Sequence, residues 1–292
     1  MIKSFIKNVL IGLKLTSKVN LFIIGAQKSG TTTLYDNLVQ HSVIFGGTIK
    51  EKNFFSHKYL YVKGTAWYYT LFQTKKIFFR WFSNNYYMDA SPSYLSSKEV
   101  AQKLYAYNPI AKFIIMMRNP IDRAFSAWNM YKQMNLLSLS EKENLIAKHI
   151  LGLNEDKKEK FIKMINLEKF PTFEEMIEEE LFDIINNKEP YPGILKRGIY
   201  HEQIENYLTL FKPQQFFYIC SEDFKEKKND ILNELFHFLN LEKTLPKSKL
   251  EDKHIRVYQS KISPQIREKL KEFYKPHNQK LYALINKNYN WE

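Results

Sequence analysis

The sequence predicts an α/β domain with a central, mostly parallel sheet flanked by helices, and three short apolar runs carry that prediction. Leu21-Phe22-Ile23-Ile24, Ala111 to Met117 and Phe216 to Cys220 each have the length and apolar density of a strand buried on both faces. The first and third are followed by apolar residues at helical spacing: Leu34, Leu38 and Val39 in one case, Ile231, Leu232, Leu235, Phe236 and Leu239 in the other. The second runs into Arg118-Asn119-Pro120, and a proline near the first helical turn is a natural helix entry. Strand, turn and helix repeated in this way predict three layers, with any ligand at the carboxyl ends of the strands.

Composition sets the outer bounds. At 292 residues, 44% hydrophobic and 15% aromatic, the chain has ample material for a core. No internal repeat or compositional break demands a second domain, so the expected division is a segment 1–19 and a domain 20–292. Lys+Arg 44 against Asp+Glu 31 gives a net charge of +13, which calls for an anionic partner. The single cysteine, Cys220, rules out an internal disulfide and a cysteine metal cluster, and suits a reducing cytoplasm. At a strand end it reads as core filler rather than nucleophile.

Residues 1–19 mix Lys3, Lys7, Lys14 and Lys18 with Ile2, Phe5, Ile6, Val9, Leu10, Ile11 and Leu13. The apolar run is too short and too charged to span a bilayer or to form a clear secretory signal. Two readings stay open: a basic amphipathic helix on a membrane surface, and a helix packed on the domain or a frayed terminus.

The first strand ends in Gly25-Ala26-Gln27-Lys28-Ser29-Gly30-Thr31-Thr32-Thr33. A glycine-containing turn between strand and helix aims backbone N–H groups and the positive helix end at one point, where a phosphate is the favoured guest. The glycine spacing is that of an ATP or GTP P-loop, GxxxxGK(S/T), but Thr31 stands where the lysine belongs. The lysine sits inside the turn instead, at Lys28. The fold is thus P-loop-like, with a cation placed beside a bridging oxygen rather than along a triphosphate.

The segment Gln27 to Thr33 resembles the 5′-phosphosulfate loop of sulfotransferases that use 3′-phosphoadenosine 5′-phosphosulfate (PAPS), and is closest to the carbohydrate branch containing the heparan sulfate N- and 3-O-sulfotransferases. The resemblance implies that Gln27, Lys28, Ser29, Gly30, Thr31, Thr32 and Thr33 bind the donor, with Lys28 also catalytic. Lys50-Glu51-Lys52-Asn53-Phe54-Phe55 and Gly64-Thr65-Ala66-Trp67-Tyr68 are similar to that branch's Glu-x-x-Phe-Phe and Gly-x-x-Trp-Tyr pair. By residue match the proposed general base falls on Glu51, which would contact the acceptor. Taken alone, Glu51 reads as a surface carboxylate between two lysines.

Further on, Asp89-Ala90-Ser91-Pro92-Ser93-Tyr94 resembles the branch's Glu-Lys-(Ser/Thr)-Pro-x-Tyr. Ala90 stands where the family has a lysine near the sulfuryl group, which leaves Lys28 as the main cation expected there. Asp89 is expected either to contact substrate or to cap the helix after Pro92. Arg118-Asn119-Pro120-Ile121-Asp122-Arg123-Ala124-Phe125-Ser126 resembles the 3′-phosphate site, with Arg118 and Ser126 as the implied ligands. A guanidinium fork and a hydroxyl suit a phosphate monoester. Arg123 belongs to the same motif and carries less weight, since a structural ion pair is the alternative reading.

Residues 129–195 read as helical, with a capping box at Thr172 and Glu175 and a solvated face at Glu178-Glu179-Glu180. In the family this region shapes the acceptor cleft. Gly198 is a candidate for backbone contact with the nucleotide. Lys253, His254 and Arg256 correspond to a basic loop that in the family closes over the phosphates, and equally fit an ordinary basic surface loop. The expected function is transfer of a sulfuryl group from PAPS, without a metal, to a hydroxyl or amine of an acceptor. That acceptor is a carbohydrate for preference, and not a nucleic acid. A P-loop-type kinase and a catalytically degenerate nucleotide- or polysaccharide-binding protein are the alternatives. The expected location is cytoplasmic, with peripheral membrane contact through residues 1–19 left open.

Overall fold

The computed structural model describes residues 18–72, 85–149, 153–243 and 261–291. The segment 1–17 and the candidates Lys253, His254 and Arg256 lie outside the described residues.

Five strands form one sheet in the order β2-β3-β1-β4-β5. They are β1 (Leu21–Gly25), β2 (Ile44–Phe45), β3 (Tyr86–Ala90), β4 (Lys112–Met117) and β5 (Phe216–Cys220), and every pairing is parallel. The sheet is therefore wholly rather than mostly parallel. β1 sits at its centre with Leu21 beside Met88 on one side and Lys112 on the other.

Helices cover both faces. On one pack α1 (Thr31–Leu38), α10 (Ser221–Glu226) and α11 (Lys228–Phe238); on the other pack α4 (Lys98–Tyr107), α9 (Tyr200–Leu208) and the end of α12 (Pro264–Ile285). Two short helices, α2 (Lys58–Tyr61) and α3 (Gly64–Thr70), precede β3. Strand alternation sorts the core between the layers. Phe22, Ile24, Phe113, Ile115 and Met117 face the α4/α9 side, while Leu21, Ile23, Ile114 and Met116 face α1 and α11. This is why those runs are apolar at every position.

A second helical core lies beyond α5 (Pro120–Asn135). It is built with α6 (Leu139–His149), α7 (Glu155–Ile165), α8 (Phe173–Ile185) and the first half of α12. Asn119 caps α5 by accepting N–H bonds from Ile121 and Asp122, with Pro120 in the first turn, so the expected helix entry is found. The Thr172–Glu175 capping box is also present. The glutamate run differs from expectation: Glu178 and Glu179 are exposed, but Glu180 is 4% exposed, turned into this core. Its Oε1 accepts the N–H groups of Leu195 and Lys196 at 2.7 and 2.8 Å. Burial raises its pKa to about 7, against the pull of those N–H groups and of Arg123.

Successive connections leave β1 towards β3 and leave β4 towards β5, so the C-terminal ends of β1 and β4 flank the switch point of the sheet. No helix among the described residues is long and apolar enough to cross a membrane.

Candidate active site

The turn after β1 is shaped by two left-handed residues. Lys28 has φ 69° and Gly30 has φ 92°, and the second is a conformation that glycine adopts without steric penalty. Gly30 is the N-cap of α1 and no side chain caps that helix end. The first N–H groups of α1 therefore have no partner within the helix and converge on the turn, as an anion site requires. Ser29 is buried against the Tyr200 phenol and Thr31 is buried at the first helical position. Gln27, Lys28, Thr32 and Thr33 are half-buried at the rim. The donor set thus combines uncapped N–H groups, hydroxyls and a lysine, which is the chemistry a phosphosulfate needs.

Glu51 reaches the same rim from the loop between β2 and α2. Its N–H bonds to the Ala90 carbonyl at 3.0 Å, hanging the loop from the end of β3. Glu51 and Asn53 have φ 56° and φ 50°, uncommon for residues with a Cβ and a form of local strain that gathers at functional sites. The flanking lysines are not equivalent. Lys52 is buried, donates to the Gly46 and Ile49 carbonyls at 2.7 and 2.8 Å, and lies 4.5 Å from the centre of the Phe72 ring. It anchors the loop from beneath, and burial lowers its pKa.

Lys50 turns the other way. Its Nζ donates to Thr32 Oγ1 at 2.7 Å and stands 3.4 Å from Glu51 Oε1. Its side chain is 18% exposed and that of Glu51 54%. Burial lowers the Lys50 pKa, opposed by Glu51. Lys50 was not among the residues singled out by sequence, where only its adjacency to Glu51 could have drawn attention.

Asp89 does neither of the things expected of it. It is 0% exposed, beneath the rim. Its Oδ2 accepts the Tyr68 and Tyr94 hydroxyls at 2.6 and 2.9 Å and its Oδ1 that of Ser91 at 2.8 Å. The helix after Pro92 begins instead at Ser97. Asp89 is a strut joining α3 to the end of β3, and nothing of it faces an acceptor.

The second group of expected ligands follows the neighbouring strand. Arg118 directly follows β4, half-buried, and Ser126 is buried two turns into α5. The Tyr200 hydroxyl donates to the Arg118 carbonyl at 2.8 Å while packing on Ser29, so one phenol ties both strand ends together. Burial pushes its pKa up to about 12, keeping it neutral. Arg197 adds a link that sequence reasoning missed: its Nη1 donates to Gln27 Oε1 at 2.8 Å, across a separation invisible in any local motif. Trp291 backs this wall, its ring 5.9 Å from Tyr200 and its backbone N–H donating to the Tyr282 hydroxyl at 3.1 Å.

Three further residues lie away from this rim. Gly198 is buried, and a Cβ there would meet the Tyr274 hydroxyl at 2.7 Å and Pro120 Cβ at 3.0 Å. The close approach that requires this glycine is to α12 and α5. Arg123 is 0% exposed, donates to the Ile194 carbonyl and lies beside Glu180 and Tyr274, which agrees with a structural role. The Cys220 thiol donates to Glu222 Oε2 at 3.1 Å and burial pushes its pKa up to about 12, so it is no nucleophile.

Likeness to known proteins follows this geometry. Residues 18–280 match the sulfotransferase domain family. Over 96% of its length the chain is 24% identical to the membrane-associated sulfotransferase kil1 of Dictyostelium discoideum, covering 68% of that protein. It is also 24% identical to mouse heparan sulfate glucosamine 3-O-sulfotransferase 5, over 92% of this chain and 72% of the relative. A crystal structure of a sulfotransferase from Alicyclobacillus acidocaldarius superposes with a TM-score of 0.64 at 25% identity, covering 94% of this chain and 99% of the other. With a match that runs through all five strands and the rim they support, the protein belongs to the sulfotransferase family and is an enzyme of sulfuryl transfer.

Proposed function

We propose that the protein moves the sulfuryl group of PAPS to a hydroxyl or amine of a carbohydrate. The observation that carries this reading is the uncapped, lysine-bearing turn after β1 set beside Arg118 at the end of the adjacent strand β4. One end supplies donors for a phosphosulfate and the other for a 3′-phosphate. The carbohydrate acceptor follows from relatives named for heparan sulfate glucosamine.

The roles of the residues follow from charge flow. As the acceptor oxygen or nitrogen attacks sulfur, a new bond to sulfur forms and the bond from sulfur to the bridging phosphate oxygen breaks. The electron pair stays on that oxygen, and the acceptor proton passes to Glu51. Lys28, the N–H groups of α1 and the hydroxyls of Thr31, Thr32 and Thr33 stabilise the charge that grows on the leaving phosphate. Glu51 is exposed and next to the rim, where a carboxylate can take a proton from an incoming acceptor. Arg118 and Ser126 align the nucleotide so that attack is in line. Membrane contact through residues 1–19 is the remaining part of the proposal, in keeping with the name of the Dictyostelium relative.

Calorimetric titration with 3′-phosphoadenosine 5′-phosphate, beside ATP and AMP, tests the donor assignment. The expected result is micromolar binding that requires the 3′-phosphate and falls at least tenfold in Arg118→Ala, as loss of a charge-assisted fork implies. Equal binding of ATP would overturn it. A panel of glycans differing in N-substitution, scored for label from sulfur-35 PAPS, then identifies the acceptor.

A further inference from the structure

We propose that Lys50 is a second catalytic cation, one that holds the non-bridging oxygens of the sulfuryl group while it passes from donor to acceptor. The inference rests on the PAPS reading and adds a residue to it. Its basis is position. Lys50 Nζ lies 2.7 Å from Thr32 Oγ1, in the first turn of α1, and 3.4 Å from Glu51 Oε1. Thr32 belongs to the side from which the phosphate leaves, and Glu51 to the side from which the acceptor arrives. In an in-line displacement the sulfur atom travels between those two sides, so a cation that touches both at once stands alongside its path.

The rest of the neighbourhood agrees. Lys28 approaches the turn from within the loop itself and serves the bridging oxygen, which leaves the sulfuryl oxygens to be met from across the rim. Glu51 donates its N–H to the Ala90 carbonyl, and Ala90, buried at the end of β3, offers only a methyl group on that side. Charge for the sulfuryl group therefore comes from the loop hung over β3 rather than from the strand. The fixed backbone of that loop holds the ammonium in place: Lys52 is anchored on two carbonyls beneath, and Asn53 donates its Nδ2–H to the Glu51 carbonyl at 3.1 Å. Partial burial lowers the Lys50 pKa and the Glu51 carboxylate only opposes it, so an arriving sulfuryl anion would further favour the charged ammonium. The same ammonium, 3.4 Å from Oε1, also keeps the Glu51 carboxylate turned towards the rim.

The group the ammonium serves separates this role from a general phosphate contact. A cation on the sulfuryl oxygens is felt by PAPS and not by 3′-phosphoadenosine 5′-phosphate, which lacks them. The test uses the full chain, both nucleotides in calorimetry, and the slow transfer to water that yields sulfate and 3′-phosphoadenosine 5′-phosphate without an acceptor. Lys50→Met keeps an unbranched side chain one atom shorter and removes its charge. It is expected to weaken PAPS about tenfold, leave 3′-phosphoadenosine 5′-phosphate within about twofold, and slow transfer to water about 100-fold. Lys50→Arg is expected to restore PAPS affinity to within about threefold, and both variants to melt within a few degrees of wild type. Equal weakening of both nucleotides, or wild-type behaviour of Lys50→Met on PAPS, would overturn the assignment. A wild-type protein that binds neither nucleotide would instead bring down the donor reading, and this inference with it.

Discussion

Glu51 and Asp89 sit at neighbouring points by the C-terminal end of β3, since the N–H of Glu51 bonds to the carbonyl of the residue after Asp89, and yet they live in opposite surroundings. Asp89 has three hydroxyl donors and no solvent. Glu51 has a left-handed backbone, a half-exposed carboxylate and an ammonium at its side. A carboxylate whose lone pairs are already taken by fixed hydroxyls has nothing left for a substrate, and its value is structural. One left open beside cations retains the capacity to take a proton. Identity of the side chain decides little here; the number of donors already committed to it decides the role.

The comparison breaks first where turnover is concerned. Glu51→Gln and Lys28→Ala are each expected to lower sulfuryl transfer about a thousandfold, measured as label moved from PAPS, while the thermal midpoint stays within about two degrees. A stable protein with near-normal turnover in either variant would strip that residue of its role. Asp89→Ala should show the reverse pattern. It leaves the Tyr68, Tyr94 and Ser91 hydroxyls without their acceptor inside the core, so a loss of about 3 to 4 kcal/mol in urea unfolding is expected. A variant that unfolds like wild type but fails to turn over would move Asp89 back towards the substrate.

Glu180 supplies the intermediate case and the smallest effect. Its Oε1 is taken by two N–H groups and its Oε2 has no hydrogen-bond partner, so the charged form is only half provided for. Its pKa of about 7 in the folded chain lies above the value near 4.5 of an unfolded one. The native state therefore holds this proton more tightly than the unfolded state does. The stabilisation is complete below about pH 4.5 and is lost as pH rises through about 7. Glu180→Gln should remove that slope, on the order of 2 kcal/mol between pH 5 and 8, as read from urea midpoints across pH. A slope unchanged in the variant would assign it to other groups.

The parts of this molecule that sequence reveals are those in which local pattern and final environment agree. β1, β4 and β5 are legible because both faces of each are buried, so nearly every position is apolar. β3 is not, since Asp89 interrupts its apolar run with a residue whose burial depends on Tyr68, Ser91 and Tyr94. β2, at two residues, carries no pattern at all. The turn after β1 and the Arg118 segment are read from motif and resemblance together. Lys50 and Lys52 look alike in the sequence, and only the path of the loop sends one to Thr32 and the other under Phe72. Glu180 was hidden by its neighbours: a run of three glutamates on a helix predicts a wet face, and the third position of this one points inward.

Tyr200 joins the turn after β1 to the end of β4, and Trp291 packs against Tyr200. That arrangement has a consequence for how the protein comes into being. The turn after β1 emerges from the ribosome early, but the wall behind it is finished only when residue 291 is free of the exit tunnel. Closing contacts over such long stretches of chain is slow, and until it happens strands with two apolar faces stay partly uncovered. The turn after β1 thus gains its backing wall only after most of the domain has emerged, and its final shape depends on contacts that are among the last to form.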